Sequence, residues 1–218
     1  ITMHKLDHIV FGARTLEEGT EFVENILQAN LSEIGYHKNM GTHNRVIRIS
    51  DKIYLEVIAI DPKIRNLKNR KWFNLDNPNL QLKLKKSPQI IGYVIEKKNI
   101  NISKYYDPFF AVSRANYRWH FAMPTYKKYI LDSTIVETGI IPSLISWKSE
   151  KPINQMKKNQ FELISFEIEF SKTQKHFNAF FKSFGEIEHV SFLSTFKKIS
   201  SNFKLNLKDN LRDIIISL

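Results

Sequence analysis

One pattern constrains this chain more than any other: an apolar strand, a helix with a marked start and then further strands recur three times along its length. The first copy is the clearest. Leu6 to Ala13 (LDHIVFGA) is largely apolar at both parities and reads as a strand covered on both faces. Thr15 and Glu18 then form a T-x-x-E capping box, and Leu16, Phe22, Val23, Ile26 and Leu27 follow at helical spacing. Asn44 to Ser50 and Ile53 to Ile60 are strand-like runs separated by Asp51 and Lys52, and a weaker strand is expected near Ser32 to Tyr36. The order predicted is β-α-β-β-β.

A second copy starts at Gln89 to Glu96 (QIIGYVIE), with a short helix near Ile102 to Tyr106 stopped by Asp107-Pro108, and strands at Tyr117 to Met123 and Ser143 to Trp147. A third starts at Leu163 to Phe170. Its helix runs from about Thr173 to Phe184, with Phe177, Phe180, Phe181 and Phe184 turned inward and Gly185 placed to end it. Strands at Phe203 to Leu207 and Asp213 to Ser217 complete this copy. The stretch through Trp72 to Lys86 reads as a helical connector interrupted at Asn77-Pro78. The expected organisation is a first module over residues 3–62, a basic helical connector over 63–88, a second, degenerate module over 89–150 and a third β-α-β-β-β-like module over 160–218. The fold class expected is α+β.

Composition removes several functions. With no cysteine among 218 residues there is no disulfide framework, thiolate metal site or cysteine nucleophile. No G-x-x-x-x-G-K, G-x-G-x-x-G, G-x-S-x-G or H-E-x-x-H occurs, so nucleotide cradling, a nucleophile elbow and a zincin site are unsupported. No apolar run approaches the roughly 18 residues of a membrane span, and no basic-then-apolar leader opens the chain, so a cytoplasmic protein with no membrane partner is expected. The net charge of +11 raises the question of nucleic acid. Lys63 to Lys104 holds eleven basic residues against only Asp76 and Glu96. A solvated helical face over Lys63 to Lys71 explains this run, since Ile64, Leu67 and Trp72 supply an apolar side, and only eight of the 33 basic residues are arginines suited to bidentate phosphate contacts. Nucleic-acid binding through Lys63 to Lys86 stays a remote alternative.

Two ionisable residues stand inside apolar strands: His8 in the first, and Glu56 in Tyr54-Leu55-Glu56-Val57-Ile58. A buried carboxylate must be paired, bound to a cation or shifted in pKa. A hydrogen-bonded structural role for His8 and a salt bridge from Glu56 to Arg45 or Arg48 are the plain readings. Strand parity places each among apolar neighbours, His8 with Leu6 and Val10 and Glu56 with Tyr54 and Ile58, and both are expected to point to the same concave side of one sheet.

The segment from LDHIVFGA through the helix to GTHNRVIRISDKIYLEVIAIDP resembles the first module of a glyoxalase-like protein of the vicinal oxygen chelate superfamily. KWFNLDNPN, PQIIGYVI, VSR with RWHFAMP, and IPSLISWKS before LISFEIEF extend the likeness over most of the chain. The resemblance implies modules paired into a cupped mixed sheet, within one chain or between two copies of a homodimer. It also implies a divalent metal (Zn, Mn, Fe, Ni or Mg) with His8 and Glu56 as ligands, and lyase or isomerase (or dioxygenase) chemistry on a small polar or carbonyl-bearing molecule through an enediolate, with Glu56 as ligand or base. The second ligand pair is missing from the pattern: Gly92 stands opposite His8 and Ile145 near the place of Glu56. A metal-free, non-catalytic small-molecule-binding protein on the same fold is therefore the alternative. His43 and Asn44 of GTHN and Arg118 and His120 of RWHFAMP are the expected ligand contacts, with at least one of His43 and His120 in the pocket of His8 and Glu56.

Overall fold

The structure is a computed structural model that describes residues 3–64, 72–100, 104–125, 139–171, 180–182, 184–195 and 202–218. The chain begins with β1 (Lys5–Gly12) and α1 (Leu16–Leu27), followed by β2 (Gly35–His37), β3 (Thr42–Arg48) and β4 (Tyr54–Ile60). The Thr15 hydroxyl accepts the Glu18 N–H at 3.2 Å, and Gln28 closes the helix in a left-handed conformation with its N–H on the Glu24 carbonyl. Leu16, Gly19, Val23 and Leu27 form the buried stripe. It lies against Ile9 and Phe11 of β1, Ile47 of β3, and Leu55, Val57 and Ala59 of β4, in one apolar cluster on the convex side of the sheet.

A short helix α2 (Pro78–Leu84) precedes the second set of strands. Asn77-Pro78, expected to interrupt a helix, begins one instead. The Asn77 side chain accepts the Asn79 and Leu80 N–H groups, and proline takes the first helical position, where its missing N–H costs nothing. Then come β5 (Gln89–Glu96), β6 (Phe110–Arg114), β7 (Tyr117–Ala122) and β8 (Ser143–Trp147). β6 has five residues, none fully buried, and is absent from the strands that the pattern predicts.

All eight strands form one sheet in the order β2-β3-β4-β1-β5-β8-β7-β6. β1 lies parallel to β4, β5 lies parallel to β8, and β1 and β5 join the halves antiparallel. Each half thus repeats one topology, and the two pair within a single chain. The curved sheet makes a cup. The unpaired edges β2 and β6 approach each other across its mouth, where the Arg114 Nη1 of β6 lies 3.2 Å from the His37 Nε2 of β2 and 3.1 Å from the Asn44 Oδ1 of β3.

The last strands, β9 (Phe161–Ser171), β10 (Val190–Thr195), β11 (Asn202–Asp209) and β12 (Ile214–Ser217), form a second sheet in the order β10-β9-β11-β12. Its topology differs from the two halves: β9 sits inside the sheet, parallel to β10 and antiparallel to β11. Its apolar face joins the α1 cluster, with Phe166 edge-on to Tyr93 of β5 at 5.6 Å and Phe180 edge-on to Tyr105 at 5.1 Å. The convex side is thereby covered by α1 on the first half and by the small sheet on the second. Phe180 to Lys182 and Phe184 are helical, as expected, and Gly185 at φ 90° ends the turn with its N–H on the Phe181 carbonyl. Of the helix expected near Ile102 to Tyr106, Lys104 and Tyr105 form a turn and Tyr106 makes an isolated bridge with Pro124, while Ile102 and Ser103, most of the Thr173 to Phe184 helix, Phe177 and the basic run from Arg65 to Lys71 lie outside the described residues.

Candidate functional site

The concave side of the cup collects the side chains that the convex cluster does not use. On β4, Tyr54, Glu56 and Ile58 face inward, alternating with Leu55, Val57 and Ala59. On β1 the alternation breaks. The pairing with β5 shifts between Leu6 and His8, which keeps Leu6 with Ile9 and Phe11 in the convex cluster and places Asp7 beside His8. Leu6, expected to share the face of His8, therefore does not.

From this geometry a chain of buried polar contacts follows. The His8 Nδ1 is 2.6 Å from the Asp7 Oδ1, and its Nε2 is 3.5 Å from the Glu56 Oε2. The other Glu56 oxygen accepts the Asn44 Nδ2 at 2.6 Å, and the Asn44 carbonyl accepts from Arg114. At the far end the Trp147 indole N–H of β8 donates to the Asp7 Oδ2 at 2.8 Å. The contacts run around the cup from β6 through β3, β4 and β1 to β8. Tyr54 stacks on the His8 ring at 4.6 Å and fixes its plane.

The electrostatics are those of a paired cluster. Burial by itself would drive His8 toward neutrality, but the carboxylates of Asp7 and Glu56 on either side outweigh it and raise its pKa to about 9. Burial likewise pushes Glu56 upward, and the neighbouring His8, the His37 ring and the Asn44 amide reverse this and hold it at about 2. His37 is the opposite case: burial dominates, and despite the nearby Glu56 charge its pKa falls to about 4. Neutral His37 donates from Nδ1 to the Thr42 hydroxyl at 3.2 Å and accepts from Arg114 at Nε2.

Around this polar floor stands an aromatic wall. Trp72, Phe73, Tyr117, Trp119, Phe121 and Trp147 line a cavity of about 50 Å³ with His8, His37, Asn44, Tyr54, Glu56 and Arg114. All three tryptophans of the chain are in that wall. Val46, Arg114, Tyr117, Pro152 and Met156 belong both to the cavity and to a wider outer groove, so the groove is its approach.

His8, Glu56 and Asn44 thus meet in one site. His43, Arg118 and His120 lie outside it, and strand parity is the reason. Because Asn44 faces the cup, His43 faces away, opposite Ala59, and its ring stands 6.3 Å from Tyr36. Trp119 and Phe121 face inward, so His120 faces outward against Phe109 at 4.8 Å, and Arg118 is exposed. The expectation that His43 or His120 shares the pocket of His8 and Glu56 is therefore not met by the geometry. Glu56 pairs with His8 and Asn44 rather than with Arg45 or Arg48, whose guanidinium groups bind the carbonyls of Ser32 and of Asp51, Ile153 and Met156. Asp7, His37 and Arg114 are the site residues that sequence reasoning missed.

These residues fit a divalent metal poorly. His8 and Glu56 could both reach one ion, but His8 is the fourth residue of β1 and Glu56 the third of β4, and the same places in β5 and β8 hold Gly92 and Ile145. Among the described residues no three His, Asp or Glu side chains gather as a ligand set.

Comparison with known proteins adds the following. A family model described as "Glyoxalase-like domain" matches residues 6–182. None of the curated proteins matches the chain. Among solved structures, a hypothetical protein from Staphylococcus aureus is 14% identical, with 99% of this chain and 85% of that one covered and a TM-score of 0.57. A variant of methylmalonyl-CoA epimerase from Streptomyces coelicolor, in complex with 2-nitronate-propionyl-CoA, is also 14% identical, with 69% of this chain and 100% of that one covered and a TM-score of 0.44. A hypothetical protein from Bacillus halodurans is 13% identical, with 72% and 100% covered and a TM-score of 0.40. Among the described residues no helix is long and apolar enough to cross a membrane.

Proposed function

The chain belongs to the glyoxalase-like domain family, and from that premise we propose that it binds a small carbonyl- or carboxylate-bearing molecule inside the cup without the help of a metal. One observation carries this reading: the floor of the cavity sets the buried His8, held between two carboxylates, beside the half-buried guanidinium of Arg114. Arg114 uses only Nη1 on the protein, and its Nε and Nη2 make no hydrogen bond among the described residues. Those donors sit at the junction of cavity and groove, where an incoming oxygen arrives first. The aromatic wall supplies apolar contact and excludes water, which strengthens each charge–dipole interaction inside.

A second reading keeps the enediolate chemistry but gives it to side chains alone. Glu56 would take the proton beside the carbonyl, and the His8 imidazolium and Arg114 would hold the developing oxyanion. It draws on the order Asp7, His8, Glu56, in which the His8 ring lies between two carboxylates, one at each nitrogen. Binding stands first because a carboxylate held at about 2 is a weak base near neutral pH.

The test is a fluorescence titration of chelator-treated protein with small carboxylates and 2-oxo acids, since all the tryptophans line the cavity. The expected result is saturable quenching that added divalent ions leave unchanged and that Arg114→Gln weakens about tenfold, the loss of one charge-assisted contact. Binding that appears only after Zn, Mn, Fe, Ni or Mg is added would overturn the reading. Deuterium exchange at the carbon beside the bound carbonyl would promote the second.

A further inference from the structure

Five buried side-chain polar atoms have no hydrogen-bond partner among the described residues: Thr20 Oγ1, His43 Nε2, Arg48 Nε, Trp72 Nε1 and Tyr106 Oη. Only Trp72 belongs to the wall of the cavity. A buried donor without an acceptor is costly, and an indole N–H has one hydrogen and no acceptor capacity, so it cannot adapt by rotating a hydroxyl.

Trp72 is also firmly placed. Its ring is edge-on to Phe121 at 4.6 Å, lies 5.7 Å from Phe110 and meets His37 at 5.6 Å. It is 3% exposed, too little for the N–H to reach bulk water. The next two residues, Phe73 and Asn74, hold φ of 50° and 58°, a left-handed conformation that asparagine tolerates and phenylalanine adopts at a cost. Phe73 lines the same cavity. The left-handed Phe73 and Asn74 thus turn the chain where Trp72 and Phe73 line the cup, with an unpartnered donor among them.

We propose that Trp72 is a ligand-recognising residue whose indole N–H is kept for an acceptor atom of the bound molecule, and that this molecule is a flat conjugated ring carrying a carboxylate and a second, separate acceptor. The proposal rests on the binding reading above and deepens it. The carboxylate belongs with the free donors of Arg114, which like Trp72 is in contact with His37, so the two donor-bearing side chains border one imidazole. The ring belongs against the aromatic wall of Phe73, Phe121 and Trp119, where a flat face stacks well and a branched aliphatic chain does not.

Benzoate and the three pyridinecarboxylates test this directly. All four are flat monocarboxylates of nearly equal size, and the pyridine nitrogen is an acceptor with no proton to donate at neutral pH. The expected result is that benzoate binds and that at least one pyridinecarboxylate binds about fivefold to tenfold tighter, the scale of one satisfied buried donor. In Trp72→Phe, with binding read from Trp119 and Trp147, that preference should vanish or reverse. A preference that survives Trp72→Phe overturns the role of Trp72. A second measurement needs no variant: of the three indole N–H resonances in the ¹⁵N spectrum, the one from Trp72 should move downfield with the preferred pyridinecarboxylate and not with benzoate. An unmoved resonance overturns the role as well. Failure of all four molecules to bind the wild-type protein, alongside binding of a small aliphatic 2-oxo acid, would overturn the flat-ring ligand and leave the cavity reading standing. Failure of every carboxylate and 2-oxo acid would overturn both.

Discussion

Asp7 and His8 are consecutive in β1, yet the Asp7 carboxylate grips the His8 ring nitrogen Nδ1 at 2.6 Å, because the register shift against β5 falls between Leu6 and His8. Neighbours in a regular strand point to opposite faces and cannot do this. Asp7 is therefore a positioning residue, setting both the plane and the charge of His8. Asp7→Asn should bring the His8 pKa down from about 9 toward the ordinary value for histidine. An NMR titration of the His8 ring reads this directly, and a pKa that stays near 9 would show that Glu56 alone holds the proton. Loss of a charge-assisted hydrogen bond should also cost about 1–3 kcal/mol in urea denaturation.

Stability should peak near pH 6.5 and fall on both sides. The His8 pKa is raised, so its contribution is complete below about 6.5 and is lost as pH climbs to about 9. The Glu56 pKa is depressed to about 2, so its contribution is present above about 4.5 and lost as pH drops through 2. His37 folds in its neutral form with a pKa of about 4, and it costs stability as pH falls from 6.5 toward that value. Denaturation midpoints between pH 3 and 9.5 should trace this dome, and His8→Gln should flatten its alkaline limb. A wild-type profile that rises steadily from pH 6.5 to 9 would contradict the raised His8.

Gly35 offers a way to disturb the site without unfolding the protein. A Cβ built on Gly35 would meet the Arg114 Nη1 and the Asn44 Oδ1, both at the ends of side chains that can move. Gly35→Ala should therefore change the denaturation midpoint little while displacing Arg114 from its contacts with Asn44 and His37. Carboxylate binding should weaken about tenfold, as expected for one lost charge-assisted contact. Unchanged affinity in a folded Gly35→Ala protein would mean that Arg114 does not meet the ligand.

The parts of this molecule that were legible in the sequence are those where apolar pattern and position agree. β1, α1, β4 and β5 stand out as unbroken apolar runs or a capped amphipathic helix, and His8 and Glu56 stand out because an ionisable group interrupts such a run. Arg114 and His37 were hidden by short strands, β6 and β2, whose burial alternates only between half-buried and exposed, too little to mark an inward face in so few residues. Asp7 was hidden by a register shift, which no pattern of residue types announces. The inward face of β7 could have been read: Trp119 and Phe121 are its large apolar residues, which turns Arg118 and His120 outward by parity. Applied to β3, the same rule puts Asn44 inward beside Glu56 and His43 outward. The order of the last four strands depends on which apolar faces remain uncovered, and only tertiary packing decides that.

Gly19 tests the packing that curves the sheet around the site. In an ordinary helix interior, replacing glycine by alanine stabilises by roughly 0.5–1 kcal/mol, because alanine loses less conformational freedom. Here a Cβ on Gly19 would stand 2.6 Å from the Ala13 Cβ and 2.7 Å from the Val57 Cγ1, both stiff, buried atoms on the strand side of α1. Neither neighbour can rotate away: alanine has no rotamer, and Val57 is wedged between Leu55 and Ala59 in the cluster beneath the helix. Relief requires α1 to rise from the sheet, and overpacking of this kind costs about 1–3 kcal/mol. Val57 is adjacent to Glu56 on β4, so a shift there is passed to the carboxylate. Gly19→Ala should therefore lower stability by about 1–2 kcal/mol net, whereas Glu21→Ala on the exposed face of the same helix should leave it unchanged or slightly raised. Paired urea denaturation curves decide the matter, and a Gly19→Ala protein more stable than the wild type would show that α1 does not pack this closely on β4.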